Sequence, residues 1–339
     1  MNLVTGASGL VGSHLIYHLL KEQQPVRAII RSEESKKKIR KVFSYYDQEE
    51  AQQFFDKIEF IYGDITNIAS LEDAFHNVDY VYHCAAIVSY KRSDAKRMIL
   101  DNVDGTENMV NLSLKKNIKK FCHVSSIAAI GHTDIDRVMN EKDRWVKEKR
   151  TSNYSYSKHY SEMEVWRAKE EGLNIVIVNP CMIVGAGDWG RSSTTFFPTV
   201  WKGLTFYPTG GTSFVDVRDL VSIMIKLMMS DIKGERFIVA SENLTFKDFL
   251  SIIAEFMNKN KPNIALTPLM GEIAYIGAKI KNLFSNYKVP ITRESIQRGK
   301  ITNFYDNSKV KSYLNFEFIP VKDSIKHTVQ LFLQDLKED

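Results

Sequence analysis

The 339-residue sequence predicts an α/β fold, a doubly wound parallel sheet with helices on both faces. Three observations carry that prediction. Short apolar runs alternate with stretches of helical length through the first half of the chain. Several of those runs, residues 78–84 among them, are apolar almost without interruption, as strands covered on both faces must be. The first run, residues 3–5, passes through a glycine-rich turn straight into an amphipathic helix.

That opening unit reads Thr5-Gly6-Ala7-Ser8-Gly9-Leu10-Val11-Gly12, with Leu10, Val11, Leu15 and Leu19 at helical spacing. The glycines follow G-x-x-G-x-x-G. Gly6 permits a tight turn, Gly9 lets backbone approach a pyrophosphate, and Gly12 lets the helix pack on the strand. Bare N–H groups at the helix start then face phosphates. Residues 25–31 form the second strand. Its end is where an acidic residue would bind both ribose hydroxyls; this chain has Ile30-Arg31-Ser32 instead. A guanidinium fork and a hydroxyl suit a 2′-phosphate, so NADP(H) is preferred, with NAD(H) the alternative.

A polar, helical segment runs to about residue 57, and residues 58–62 make the third strand. Asp64 closes it, placed either to accept from an adenine amino group or to cap a helix over residues 68–75. The fourth strand ends in Cys84-Ala85-Ala86, small residues that let a dinucleotide lie on the backbone. Ser89 and Tyr90 follow in a loop over the same crevice. Asn102-Val103-Asp104-Gly105-Thr106 opens another helix, and residues 121–125 are the fifth strand, running into Ser126. Strand–helix alternation demands right-handed crossovers, and ligands then bind at the carboxyl ends of the strands. Gly6, Arg31, Asp64, Ala85 and Ser126 all occupy such ends.

After a polar stretch over residues 132–153 comes Tyr154-Ser155-Tyr156-Ser157-Lys158, with Glu162 one turn further. Tyr154 and Lys158 share a helix face. A free tyrosine ionises at about pH 10, and a nearby ammonium lowers that value. The pair thus makes a general acid/base for carbonyl–alcohol interconversion, with a serine to hydrogen-bond the substrate oxygen. Ser125 and Ser126 both stand where that serine is needed.

Taken together, these residues resemble the extended short-chain dehydrogenase/reductases, the NAD-dependent epimerase/dehydratase superfamily. The likeness covers nearly the whole chain and is strongest to the dihydroflavonol-4-reductase-like branch. It rests on the glycine turn, Gly63-Asp64-Ile65, His83-Cys84-Ala85-Ala86, Asn102-Val103-Asp104-Gly105-Thr106, Val124-Ser125-Ser126 and Tyr154 to Lys158. Asn179-Pro180 through Gly185-Ala186-Gly187-Asp188 looks like the family's later cofactor-side turn, with Ala186 where proline is usual. The resemblance implies a Rossmann fold and an NADP-dependent oxidoreductase in which Ser126, Tyr154 and Lys158 are catalytic. It implies a cofactor site of Thr5, Gly6, Ser8, Gly9, Leu10, Val11, Gly12, Arg31, Asp64, Ile65, Cys84, Ala85, Ala86, Asn102, Val124, Pro180 and Ile183, with Tyr154 and Lys158. A homodimer through helices near 102–116 and 154–170 is the family expectation. Sugar-epimerase relatives carry an acidic second-strand end and Tyr-Gly after the serine segment. Arg31 and Ile130-Gly131 stand there instead, so a nucleotide-sugar epimerase or dehydratase with retained NAD is the second reading. A non-enzymatic NAD(P)-binding regulator is the third, opposed by the Tyr/Lys pair.

Residues 175–178 are a sixth strand, after which the alternation stops. Trp189, Phe196, Phe197, Pro198, Trp201, Phe206 and Tyr207 suit a small core or an apolar cleft wall. Met182, Phe196, Phe197 and Phe214 are the pocket candidates, beside Ser89 and Tyr90. Helices are expected over 221–229, 246–257 (capped by Thr245), 268–286 and 321–337, with a strand over 236–240. Residues 1–180, with a return over about 214–240, make the dinucleotide domain. Residues 181–339 make an intertwined, smaller mixed α/β substrate region.

The resemblance implies a small-molecule carbonyl compound as partner, and composition sets other partners aside. A net charge of +5 gives no nucleic-acid footprint, and Lys36-Lys37-Lys38 beside Glu33 and Glu34 reads as a solvated helix face. Cys84, Cys122 and Cys181 lack metal-ligand spacing, so no metal is expected, and free thiols fit a cytoplasmic setting. No basic-then-apolar leader and no apolar run of bilayer length is present, which argues against a membrane.

Overall fold

The structure, a computed structural model, describes residues 1–89, 92–131, 137–148, 151–267, 270, 296–297 and 299–338. Tyr90 and, apart from residue 270, the helix expected over 268–286 lie outside the described residues. The first half runs β1 (Asn2–Thr5), α1 (Leu10–Lys21), β2 (Val26–Ile30), α2 (Glu33–Phe43), α3 (Gln48–Asp56), β3 (Glu59–Tyr62), β4 (Tyr80–His83), α4 (Ala95–Lys115), β5 (Lys120–Val124), α5 (Asn153–Glu170) and β6 (Ile175–Pro180). The second runs β7 (Met182–Val184), α6 (Phe196–Trp201), β8 (Phe206–Tyr207), β9 (Gly211–Asp216), α7 (Val217–Met229), β10 (Glu235–Val239), β11 (Glu242–Thr245), α8 (Phe246–Phe256), β12 (Ile264–Ala265), α9 (Ser308–Leu314) and α10 (Val321–Glu338).

Seven strands form one parallel sheet in the order β10-β6-β5-β4-β1-β2-β3. The chain winds outward from β1 in one direction and from β4 in the other, so a crevice opens at their carboxyl ends. Each buried strand feeds two cores, because alternate side chains point to opposite faces. Val4, Ala28, Tyr82, Cys122, Val176 and Val178 meet Leu15, Ile16 and Leu19 of α1 and Leu220 and Met224 of α7. Leu3, Ile29, Val81, Phe121, Ile175 and Ile177 meet Met109 and Val110 of α4 and Val165 and Ala168 of α5. Each fully buried side chain of this size contributes about 2 kcal/mol of transfer free energy, so the continuous apolar runs are what make a two-sided sheet stable.

After β6 the chain leaves to form β7 and β9, then returns as α7 and β10, the last strand of the main sheet. A small sheet, β11-β9-β7, and the pair β12-β8 lie outside it. They pack on a third core of Phe197, Phe214, Phe249, Ile253, Val329 and Phe332. No helix among the described residues is long and apolar enough to cross a membrane.

Two expectations need correction. Residues 68–75 are not one α-helix but two short 3₁₀ turns, Ile68–Ser70 and Asp73–Phe75. The Ser70 hydroxyl donates to Asn67 O and accepts from Asp64 N, which offers the backbone an alternative to helix. Asn102 does not open a helix; it sits in the middle of α4, which starts two turns earlier.

Candidate active site

The glycine turn is packed to contact. Gly6 has φ +65, and a Cβ there would lie 2.6 Å from Ala85 N. A Cβ on Gly12 would lie 2.3 Å from Gly6 O. Gly9 N–H donates to Gly6 O at 2.9 Å and closes the turn. Gly9 is also the N-cap of α1 and supplies no side-chain acceptor, so the cap residue leaves the first-turn N–H groups of Leu10, Val11 and Gly12 uncapped. An uncapped N-terminus in a cradle that a methyl group would fill fits a pyrophosphate. Thr5 supports the cradle from inside. Its buried hydroxyl bonds to His83 Nδ1 at 2.8 Å and accepts from Ala85 N at 3.2 Å. His83 Nε2 meets Thr106 Oγ1 at 3.1 Å, and burial holds the imidazole neutral by lowering its pKa to about 3.

The two arginines of the second strand have opposite environments. Arg27 is buried and bonded to Glu59, Ala74 O and His76 O. Arg31, at the carboxyl end, is exposed and has no hydrogen-bond or ion-pair partner among the described residues. Ser32 beside it is the extended N-cap of α2, with no side-chain cap bond. Asp64 makes an Asx turn, its carboxylate accepting from Thr66 N at 2.9 Å and Thr66 Oγ1 at 2.8 Å. Ile65 O accepts from Asn108 Nδ2 of α4, which fixes that wall.

Asn102 is bonded to the loop that follows β4. Its buried amide clamps Ile87, accepting from the N–H at 2.7 Å and donating to the carbonyl at 3.0 Å, and also donates to Ser157 Oγ. With both amide hydrogens used, it holds the loop after Cys84, Ala85 and Ala86 from behind.

The start of α5 is bonded to the segment that ends β5. Ser152 caps α5 through the Ser155 N–H, and Ser155 Oγ donates to Ala128 O at 2.7 Å. Tyr154 lies half-buried on the first turn. Lys158 is buried, and its Nζ donates to Val124 O at 2.9 Å. Burial lowers its pKa to about 8, with the Glu162 carboxylate pulling the other way. Cys84 is pushed up to about 12 by the same burial and stays a thiol. The structure also separates the two serines. Ser125 Oγ donates to Glu162 at 2.6 Å, so its proton is committed. Ser126 Oγ accepts from Ala128 N at 3.1 Å and keeps its own proton to donate.

Helical spacing puts Glu162 on the Tyr154/Lys158 face but gives no sign of its partners, which come from distant strands. Its buried carboxylate accepts from Ser125 Oγ, Asn179 Nδ2 (2.8 Å), Trp166 Nε1 (3.2 Å) and Arg236 Nη1 (3.1 Å). Asn179 Nδ2 also donates to Ser126 O at 3.0 Å. Its neighbour Pro180 ends β6 fully in the core, and Ile183 on β7 is half-buried.

The pocket candidates separate into two groups. Phe197 and Phe214 are corrected: both are fully buried, Phe214 stacked on Phe249 at 4.2 Å, and belong to the third core. Met182 and Phe196 are half-buried at the edge of that core, Phe196 edge-on to Phe249. Ser89 Oγ donates to Asp94 at 2.6 Å. Among the described residues no group of acidic, histidine or cysteine side chains is arranged to hold a metal ion.

Residues 2–240 match the family described as NAD dependent epimerase/dehydratase. Sterol demethylase protein B of Methylococcus capsulatus is 28% identical over 293 residues, covering 85% of this chain and 84% of that protein. A putative dihydroflavonol 4-reductase of Synechocystis is 24% identical over 336 residues, covering 97% and 93%. Cinnamoyl-CoA and anthocyanidin reductases are also among the relatives. The crystal structure of gox2253 superposes with a TM-score of 0.79 at 24% identity, covering 99% of this chain and 98% of that one. Other solved structures of the same fold carry NAD or NADPH.

Proposed function

The chain belongs to the NAD-dependent epimerase/dehydratase family, and from that membership we propose that it is an NADPH-dependent reductase of a small or medium carbonyl compound. The observation that carries the reading is the junction of α5 with β5. Lys158 Nζ is bonded to Val124 O two residues before Ser126, Tyr154 lies one turn before Lys158 on α5, and the uncapped glycine turn ends β1 in the same sheet. The reductases among the relatives support the reaction class.

The cradle of Gly6, Gly9 and Gly12 holds the pyrophosphate at the start of α1. Arg31 and Ser32 receive a 2′-phosphate, since the exposed guanidinium can make charge-assisted bonds and the second strand ends in Arg31 rather than an acid, with the Asp64 carboxylate as a charged neighbour. When bound, the reduced nicotinamide supplies the hydride. Ser126 donates a hydrogen bond to the carbonyl oxygen and fixes its position. The Tyr154 hydroxyl gives that oxygen its proton as the carbon is reduced, which leaves an alcohol and a phenolate. Lys158 stabilises the phenolate until solvent returns the proton.

Fluorescence titration with NADPH and NADH, followed by turnover assays on a dihydroflavonol, cinnamoyl-CoA, an aryl aldehyde and an aliphatic diketone, tests the reading. NADPH is expected to bind at least about tenfold more tightly, the worth of one charge-assisted hydrogen bond. Tighter NADH binding removes the role of Arg31. Tightly held NAD on the purified protein, with turnover in the absence of added cofactor, replaces the reductase with an epimerase or dehydratase.

A further inference from the structure

We propose that Glu162 is a positioning residue for this reaction, its carboxylate locking the Ser125-Ser126 segment to the helix that carries Tyr154 and Lys158. The inference rests on the reductase reading above. Glu162 is 3% exposed and takes four hydrogen bonds from four places in the chain. Ser125 comes from the end of β5, Asn179 from β6, Trp166 from α5 itself and Arg236 from β10. Through Asn179 the lock reaches the catalytic serine directly, because the same Nδ2 donates to Ser126 O. One carboxylate thus sets both the backbone and the neighbour of Ser126 relative to Lys158, one turn away on α5.

Stability alone does not account for this arrangement. A buried ion pair is often no better for stability than apolar residues of the same volume. What it does supply is geometry, and displacing a reacting group by about 1 Å costs on the order of 100-fold in rate. It also supplies charge. The groups facing Lys158 are the Cys84 thiol and the His83 and His123 imidazoles, all held neutral by burial, with Tyr154 on its own helix and Glu162 as the carboxylate. Arg236 and His159 face Glu162 in turn. The negative charge of Glu162 therefore helps Lys158 keep its proton.

The test is Glu162→Gln, which keeps the side-chain length and removes the charge. Wild type and variant are compared for NADPH binding by fluorescence, and for kcat, KM and the pH profile on whichever of the four carbonyl compounds wild type reduces. We expect kcat to fall about tenfold or more, with NADPH affinity within about threefold of wild type. The alkaline limb of the kcat profile should move to lower pH by about half a unit, since Lys158 loses a favourable neighbour. A purely structural role lowers thermal stability and leaves that limb in place, and that result overturns the proposal. If Glu162→Gln does not fold, Ser125→Ala decides: a several-fold fall in kcat with unchanged NADPH affinity supports the lock, and an unchanged kcat overturns it. Turnover by wild type with an unaffected Glu162→Gln removes the positioning role alone. Absence of turnover by wild type on every carbonyl removes the reductase reading and this role with it.

Discussion

Lys158 combines two properties that pull against each other. It is buried deeply enough for its pKa to fall to about 8, yet the proposed chemistry uses its positive charge. The consequence is a pH dependence with a definite sign. The ammonium is present below about pH 8 and lost above it, so the rate of reduction holds on the acid side and falls as pH rises through that value. Rates measured from about pH 6 to 10 check this; a profile that keeps rising past about pH 9 contradicts the assignment. Tyr154→Phe separates binding from chemistry at the same site. NADPH affinity should be retained while kcat falls by about 100- to 10,000-fold, the usual worth of a general acid. Retained turnover sinks the mechanism. The Tyr-x-x-x-Lys spacing is readable in the sequence because four residues make one helical turn. The choice between Ser125 and Ser126 is not readable from spacing. It depends on Glu162, whose carboxylate reaches Ser125 only after β5, β6 and α5 have packed.

At the scale of elements, the glycine turn and α1 act as one piece. Gly12 packs against Gly6 O so closely that a methyl group has no room, and the obstacle is backbone. Gly12→Ala should force α1 away from β1 and open the cradle. Destabilisation of about 1–3 kcal/mol, the usual cost of overpacking, and loss of NADPH affinity are expected together. Calorimetry and fluorescence titration check both; an alanine variant that melts and binds like wild type shows that the turn adjusts freely. The strands of the main sheet are legible because parallel strands buried on both faces leave uninterrupted apolar runs, such as Ile175-Val176-Ile177-Val178. The start of α4 is hidden because its first turn, Ala95-Lys96-Arg97-Met98, gives the core only Met98, with Lys96 and Arg97 exposed. Phe197 and Phe214 are equally opaque. An aromatic side chain reads the same in a cleft wall and in a core, and only the packing of α6 and β9 against α8 puts both inside.

At the scale of the whole molecule, one buried neutral histidine, His14, ties the two halves of the chain together, and others are buried within the first half. His14 of α1 bonds through Nε2 to Ala186 O at 2.9 Å, joining the glycine-turn helix to the segment after β7. Burial lowers His14 and His18 to about 4 and His83 to about 3, and lowers His123 well below the usual range. Unfolded, each binds a proton near about pH 6.5. Folded stability from these groups is therefore complete above about pH 6.5 and lost as pH falls toward about 4, where unfolding takes up protons. Asp219 runs the other way, since its burial raises the carboxyl to about 7 and the folded state holds that proton longer. On unfolding at about pH 5 these histidines take up protons and Asp219 releases one, and His159 and His327, also lowered by burial, act in the same direction as the other histidines. His14 alone accounts for about 3 kcal/mol, because its ordinary and folded pKa values, 6.5 and about 4, are worth about 1.4 kcal/mol for each pH unit between them. Thermal unfolding followed from about pH 7.5 to 4.5 should show Tm falling steeply below about pH 6.5, before most carboxylates titrate. A Tm that stays flat to about pH 4.5 means that these imidazoles are already charged in the folded protein, and that the contact between α1 and Ala186 is not held by a neutral His14.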